Sequence, residues 1–75
     1  MEKQKYKFLF RIPGSDPVMV IHETRPGDAE ICARKAAKLV AKKVGAESVE
    51  CVWKGPADEK IPEKIREEIR KERVS

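Results

Sequence analysis

The chain has 75 residues, 40% of them hydrophobic and 40% charged, with a formal net charge of +4. This length predicts one domain, residues 1–75, near the lower limit for a core that holds without disulfides or metal. No apolar run approaches the roughly 20 residues of a membrane span, and the start, MEKQKYK, lacks the apolar segment of a signal peptide. We therefore expect a soluble, cytoplasmic protein with no membrane partner, and the dense charge is typical of thermostable surfaces.

The positive charge is unevenly distributed along the chain. Residues 58–73 hold six acids and six bases, so the excess lies in residues 1–57, with eleven bases against seven acids. This excess favours an anionic partner for the longer, N-terminal part of the chain, although the field that it produces is mild.

The N-terminal part predicts a β-hairpin. Residues 5–12 alternate, with Leu9, Lys7 and Arg11 on one face and four apolar side chains on the other. Those four are Tyr6, Phe8, Phe10 and Ile12. The turn-forming residues 13–17 separate this strand from a second β-rich run at residues 18–23.

Residues 28–44 predict an amphipathic helix, with Asp28 as its N-cap and Gly45 as the left-handed residue that follows it. Acids lie in its first turn and lysines in its last, as the helix dipole prefers. Its expected core face is rich in alanine, which allows close approach to a sheet. The residues on that face are Ala29, Cys32, Ala33, Ala36, Ala37, Leu39, Val40 and Val44.

The C-terminal part predicts a strand and a second helix. Residues 48–54 alternate, with Val49, Cys51 and Trp53 on one face, and Gly55-Pro56 is expected to end the strand. The segment from about residue 58 to 73 is helical by propensity, and because Pro62 suits a first turn, the pattern leaves the exact start of this helix open. The apolar stripe of this helix is a narrow isoleucine seam, formed by Ile61, Ile65 and Ile69.

Together these elements predict an α+β fold of order β-β-α-β-α, with a three-stranded, mainly antiparallel sheet in strand order 2-1-3. The first helix is expected to cover the aromatic face of the first strand together with Val49, Cys51 and Trp53. The last helix either lies on the opposite face, extends the helical layer, or leaves the isoleucine seam free for self-association or another partner.

Basic side chains on the first helix are candidates for nucleic-acid binding, because phosphates need several cations on one rigid surface. They are Arg34, Lys35, Lys38 and Lys42, with Lys43 nearby. The alternative is a solvated face whose lysines serve solubility and the helix dipole. The aromatic alternation of the first strand is also typical of RNA-stacking sheets, but so small a chain needs these rings for its core.

Catalytic and metal-binding patterns are missing from the sequence. Cys32 and Cys51 are expected to be buried free thiols, because a helix and a sheet hold facing Cα atoms too far apart for an easy disulfide. His22 is the one histidine of the sequence, and we expect it to be a half-exposed strand residue. We therefore expect no enzyme, no cofactor and no bound metal.

Two resemblances follow from the order and composition of the elements. The segments ARKAAKLVAKKVGAESVE and PEKIREEIRKERVS resemble idealised de novo designed α/β proteins in their helix-forming residues, glycine cap and ion pairs. Thermophile proteins share these features. The order of hairpin, helix and strand, with the basic charge, is similar to small ribosome-associated archaeal proteins. The first resemblance implies a stable scaffold with no natural activity.

The sequence thus favours a non-enzymatic compact scaffold or protein-interaction module. The alternative is a small basic nucleic-acid-binding protein that uses the first helix and the N-terminal lysines. A third hypothesis is a homodimer or partner-binding domain that buries the isoleucine seam.

Overall fold

A computed structural model describes residues 2–74, with the side chains of residues 2–71. Strands β1 (Gln4–Arg11) and β2 (Val18–Thr24) form a hairpin. A 3-10 turn (Pro26–Asp28) leads into helix α1 (Ala29–Val44), which is followed by strand β3 (Glu50–Pro56) and helix α2 (Glu63–Val74). This is the predicted β-β-α-β-α order.

The three strands form one antiparallel sheet in the order β2-β1-β3, which confirms the predicted α+β topology. The aromatic strand β1 is therefore central. Its alternate residues Phe8, Phe10 and Ile12 are buried, and they form the core with Ala33, Ala36 and Val40 of α1. Because alternate strand residues share a face, this side of the sheet is called the α1 face, and the other side the outer face.

The α1 helix ends as the sequence predicts. Gly45 has a φ of 75°, and the amide of Ala46 donates to the carbonyl of Ala41 at 3.0 Å, the 6→1 bond of a Schellman motif. At the other end Asp28 occupies the expected N-cap position, but its side chain makes no capping hydrogen bond. Its backbone amide instead donates to the carbonyl of Arg25, which closes the 3-10 turn.

The prediction that Trp53 lies beneath α1 is wrong, because strand β3 contains a β-bulge. Phe10 pairs with Cys51, whereas Leu9, the preceding residue of β1, pairs with Trp53, so Val52 is an extra residue. One extra residue reverses the alternation of all that follows it. Cys51 therefore packs against the core, whereas Trp53 lies with Leu9 on the outer face.

The indole of Trp53 is held on the outer face by its neighbours. The Nζ atom of Lys7 lies 5.8 Å from the ring centroid, a cation–π geometry. The ring also covers Gly55, where an added Cβ would come within 2.7 Å of the indole Cζ2 atom. Strand β3 continues through Gly55 and Pro56 rather than ending before them, since these residues pair with Lys7 and Tyr6 of β1.

Helix α2 begins later than the expected start at residue 58, because residues 57–59 form a turn. Proline disfavours helical backbone in the residue before it, and α2 starts directly after Pro62, whose carbonyl accepts from the amide of Ile65. Ile69 is buried, and Ile61 and Ile65 are half-buried. The isoleucine seam is thus partly covered within one chain, and its use by a partner stays a prediction.

Candidate functional site

An open groove of about 740 Å³ lies between helix α1 and the edge strand β2. We call it the α1–β2 groove. Its apolar lining consists of Val20 from β2 and five residues of α1, which are Ile31, Cys32, Ala36, Leu39 and Val40. Such a concave apolar surface with convergent polar groups is the usual form of a binding site.

The groove is open because the apolar surface of α1 is wider than the sheet beneath it. Ile31 and Leu39 are 53% and 64% exposed, although both are large aliphatic residues. Leu39 was expected in the core, as was Val44, which is also exposed. Both expectations are wrong. Phe8 and Phe10 of the central strand pack against the middle of α1, and the flank of the helix is left uncovered.

Charged side chains surround this apolar lining, and cations predominate. Lys3, Arg25, Lys35 and Lys43 line the groove together with two acids, Glu23 and Asp28. Lys3 and Arg25 flank the strands, and Lys35 and Lys43 belong to α1. The lining therefore combines exposed aliphatic side chains with an excess of two positive charges.

Strand β2 gives the groove a backbone edge. Within the described residues β2 pairs with β1 alone, so alternate N–H and C=O groups along its other side point away from the sheet. Val20 and His22 pair with Phe8 and Tyr6 and therefore lie on the α1 face. The exposed residues Met19 and Ile21 lie on the outer face of the same strand.

The structure divides the five cations proposed for nucleic-acid binding. Lys35 and Lys43 line the α1–β2 groove, whereas Lys38 and Lys42 lie exposed on α1 outside it. Arg34 lies on the β3 side of the helix, where its guanidinium forms an ion pair with Glu30 at 3.6 Å. The structure thus brings two of the five together with Lys3, one of the N-terminal lysines of the same hypothesis, and with Arg25, which that hypothesis does not include.

The groove has a signature in the sequence that the helical-wheel argument missed. Ile31, Lys35, Leu39 and Lys43 follow one another at intervals of four residues. Residues four apart lie on one side of a helix, so this series is a stripe in which apolar and basic side chains alternate. The sequence signal for this stripe is Ile31, a large apolar residue that lies outside the predicted core face of the helix.

The aromatic residues of β1 do not form a nucleic-acid platform. Phe8 and Phe10 are fully buried, and Tyr6 packs against the same core. Their ring centroids are 6.4 and 6.5 Å apart along the strand, in stacked arrangement. The prediction that these rings serve the core is confirmed.

The cysteines and the histidine are placed in different environments. Cys32 and Cys51 are free thiols, as predicted, but both are half-buried rather than buried. Burial raises the pKa of the Cys51 thiol above its ordinary value. His22 is exposed at the groove, and its Nδ1 lies 3.0 Å from the carbonyl of Glu23.

In the part of the chain that the structure describes, no cluster of three or more His, Cys, Asp or Glu side chains is placed to hold a metal ion. Neither described helix has the length and apolar character needed to cross a bilayer. Comparison with protein-family models, curated proteins and solved structures finds no match to this chain. The α1–β2 groove is therefore argued from its own geometry.

Proposed function

We propose that this protein is a non-enzymatic protein-interaction module and that the α1–β2 groove is its binding site. The observation that carries the proposal is the exposure of Ile31 and Leu39 on one wall of the groove, beside an edge strand. Exposed apolar side chains gathered in a concavity with charged surroundings are typical of protein interfaces.

The same observation favours a protein partner over the nucleic-acid alternative. Phosphate binding draws on cations and hydrogen-bond donors, and an aliphatic side chain supplies neither. In the groove, Leu39 lies between Lys35 and Lys43 on the helix stripe. The basic face is also interrupted by the Arg34–Glu30 ion pair, which places a carboxylate among the cations.

Selection from an unbiased library of displayed random peptides tests this function. Peptides selected against the protein are expected to lose at least about tenfold in affinity when Leu39→Ser removes a central apolar contact. Val44→Ser is the matched control, because Val44 is also an exposed aliphatic residue of α1 but does not line the groove. Thermal unfolding of both variants verifies that the fold is retained.

Peptides that bind equally well to the wild type and to Leu39→Ser and Ile31→Ser variants would place the binding site elsewhere. If the library yields no binder, the interaction function itself is wrong.

A further inference from the structure

We propose that the partner of the α1–β2 groove is an extended peptide segment, apolar in its centre and acidic at its ends, which adds to the sheet as a fourth strand beside β2. This inference rests on the proposed function and specifies the conformation and the charge of the partner. It is drawn from the backbone edge, the positions of the exposed apolar side chains and the charges around them.

The backbone of β2 supplies the first argument. An edge strand presents a row of N–H and C=O groups to solvent, and an extended peptide can pair with them as a further strand of the sheet. Strand β2 spans seven residues and includes Pro at neither end nor within it. A proline would remove donors from this edge, so every residue of β2 keeps a backbone N–H for pairing.

The exposed apolar side chains supply the second argument, because they flank both faces of a strand placed beside β2. Ile31 and Leu39 overhang the α1 face, and Met19 and Ile21 lie at the margin of the outer face. Ile31 and Leu39 are eight positions apart on the helix, about 12 Å at 1.5 Å per residue. Residues i and i+4 of a strand are about 13 Å apart, so one short strand can contact both.

The distribution of charge supplies the third argument and determines the composition of the segment. Arg25 and Lys3 flank the strands at the end where β2 runs towards α1, and Lys43 lies in the last turn of α1. Lys35 is midway between Ile31 and Leu39 on the helix stripe. Glu23 and Asp28 flank Arg25 in the chain and offset part of the positive charge at that end, but the lining as a whole keeps an excess of two positive charges. An apolar segment with acidic ends is complementary to this net charge, which gives specificity and speeds association.

The same charges argue against a second copy of this chain as the occupant. Two copies related by a two-fold axis through paired β2 edges would place the same surface patch on both sides of the interface. The groove already has four cations and two acids. Both grooves then carry an excess of two positive charges, so bringing them together costs free energy unless salt screens them.

A synthetic probe tests the proposal with the intact protein. The probe is a blocked peptide of about nine residues, with alternating valine and threonine in the centre and two glutamates at each end, long enough to span β2. We expect it to bind and to slow hydrogen exchange at alternate amides of Val18–Thr24, because strand addition protects the outward N–H groups. A peptide with prolines in place of the threonines should not bind, since proline has no N–H to donate.

Paired charge reversals test the electrostatic part. The double variant Lys35→Glu and Lys43→Glu is expected to weaken the probe by about tenfold or more, whereas Lys38→Glu with Lys42→Glu should change its affinity by less than about threefold. Both double variants alter the net charge of α1 equally, but only the first pair lines the groove. A probe with lysine in place of glutamate should reverse the order of the two variants.

The outcomes separate this inference from the function on which it rests. Binding without protection of the β2 amides overturns strand addition, and equal binding of the glutamate and lysine probes overturns the acidic partner. If library peptides bind through Leu39 but the probe does not, the inference fails and the interaction function stands. Steeply salt-dependent binding of mixed-sequence RNA or DNA, weakened equally by both charge reversals, would make nucleic acid the ligand and overturn both.

Discussion

Gly55 shows how a single residue fixes the outer face of the sheet. The missing side chain leaves room for the indole of Trp53, whose ring would lie 2.7 Å from a Cβ at this position. The same ring lies 5.8 Å from the Lys7 Nζ atom, so a shift away from a new Cβ also disturbs this cation–π contact. We therefore expect Gly55→Ala to lower the free energy of unfolding by about 1–2 kcal/mol, measured by urea denaturation.

Gly27→Ala is the matched control, because a Cβ at Gly27 meets nothing within 4 Å. Its effect should stay within about 0.5 kcal/mol. In a Trp53→Leu background the cost of Gly55→Ala should shrink, since residues in contact are not additive. Equal costs in the two backgrounds would show that the ring is not responsible.

Cys51 predicts a pH dependence of stability. Burial raises the pKa of its thiol in the folded protein above the value in the unfolded chain. The stabilisation from the neutral thiol is therefore complete below the unfolded pKa and is lost as the pH rises towards the folded pKa. We expect the free energy of unfolding to fall above about pH 8.5, and to fall less in a Cys51→Ala variant.

Denaturation across the alkaline range measures this effect. Cys32→Ala is the control, because it removes the other free thiol and retains Cys51. If the wild type and Cys51→Ala lose stability in parallel, ionisation of Cys51 makes no contribution.

At the scale of elements, the bulge in β3 determines which residues belong to which face. Val52 is the extra residue between the Cys51 and Trp53 pairs. Its deletion would restore regular alternation and turn either Cys51 or Trp53 to the wrong side of the sheet. We expect a loss of at least about 3 kcal/mol, because a packed core tolerates neither a new indole nor a missing side chain.

Insertion of one glycine after Asp16 is the control for this deletion. Residues 13–17 of the connecting loop are exposed or half-exposed, and lengthening a loop by one residue costs less than about 0.5 kcal/mol. Thermal unfolding compares the two. Similar melting temperatures for both variants would mean that the register of β3 does not matter for stability.

The order and pairing of the elements follow from local patterns in the sequence, whereas the groove depends on how far α1 extends beyond the sheet. Alternation identifies Phe8 and Phe10 as core residues, and Gly45 ends the helix as its φ of 75° requires. Alternation cannot locate a bulge, so Trp53 was assigned to the wrong face. A helical wheel likewise does not show how many strands lie beneath a helix, so the sequence wrongly predicts Leu39 as a core residue.

At the scale of the whole molecule, the exposed apolar flank of α1 lies within a surface of net positive charge. These two features together predict whether the protein is a monomer or self-associates. Like charges around the groove oppose contact between copies, with a screening length of about 10 Å at 0.1 M salt. We expect a monomer by sedimentation at low salt, and self-association only near 1 M salt, where the screening length falls to about 3 Å. Leu39→Ser should suppress that association.

A dimer that forms at low salt would contradict this expectation and would direct attention to α2. Ile65 on α2 and Ile61 just before it remain half-buried on the isoleucine seam, which carries none of the cations of the groove. Loss of such a dimer on Ile65→Ser, with Leu39→Ser unaffected, would identify the seam as the interface. The α1–β2 groove would then stay free on each copy, because the two surfaces belong to different helices.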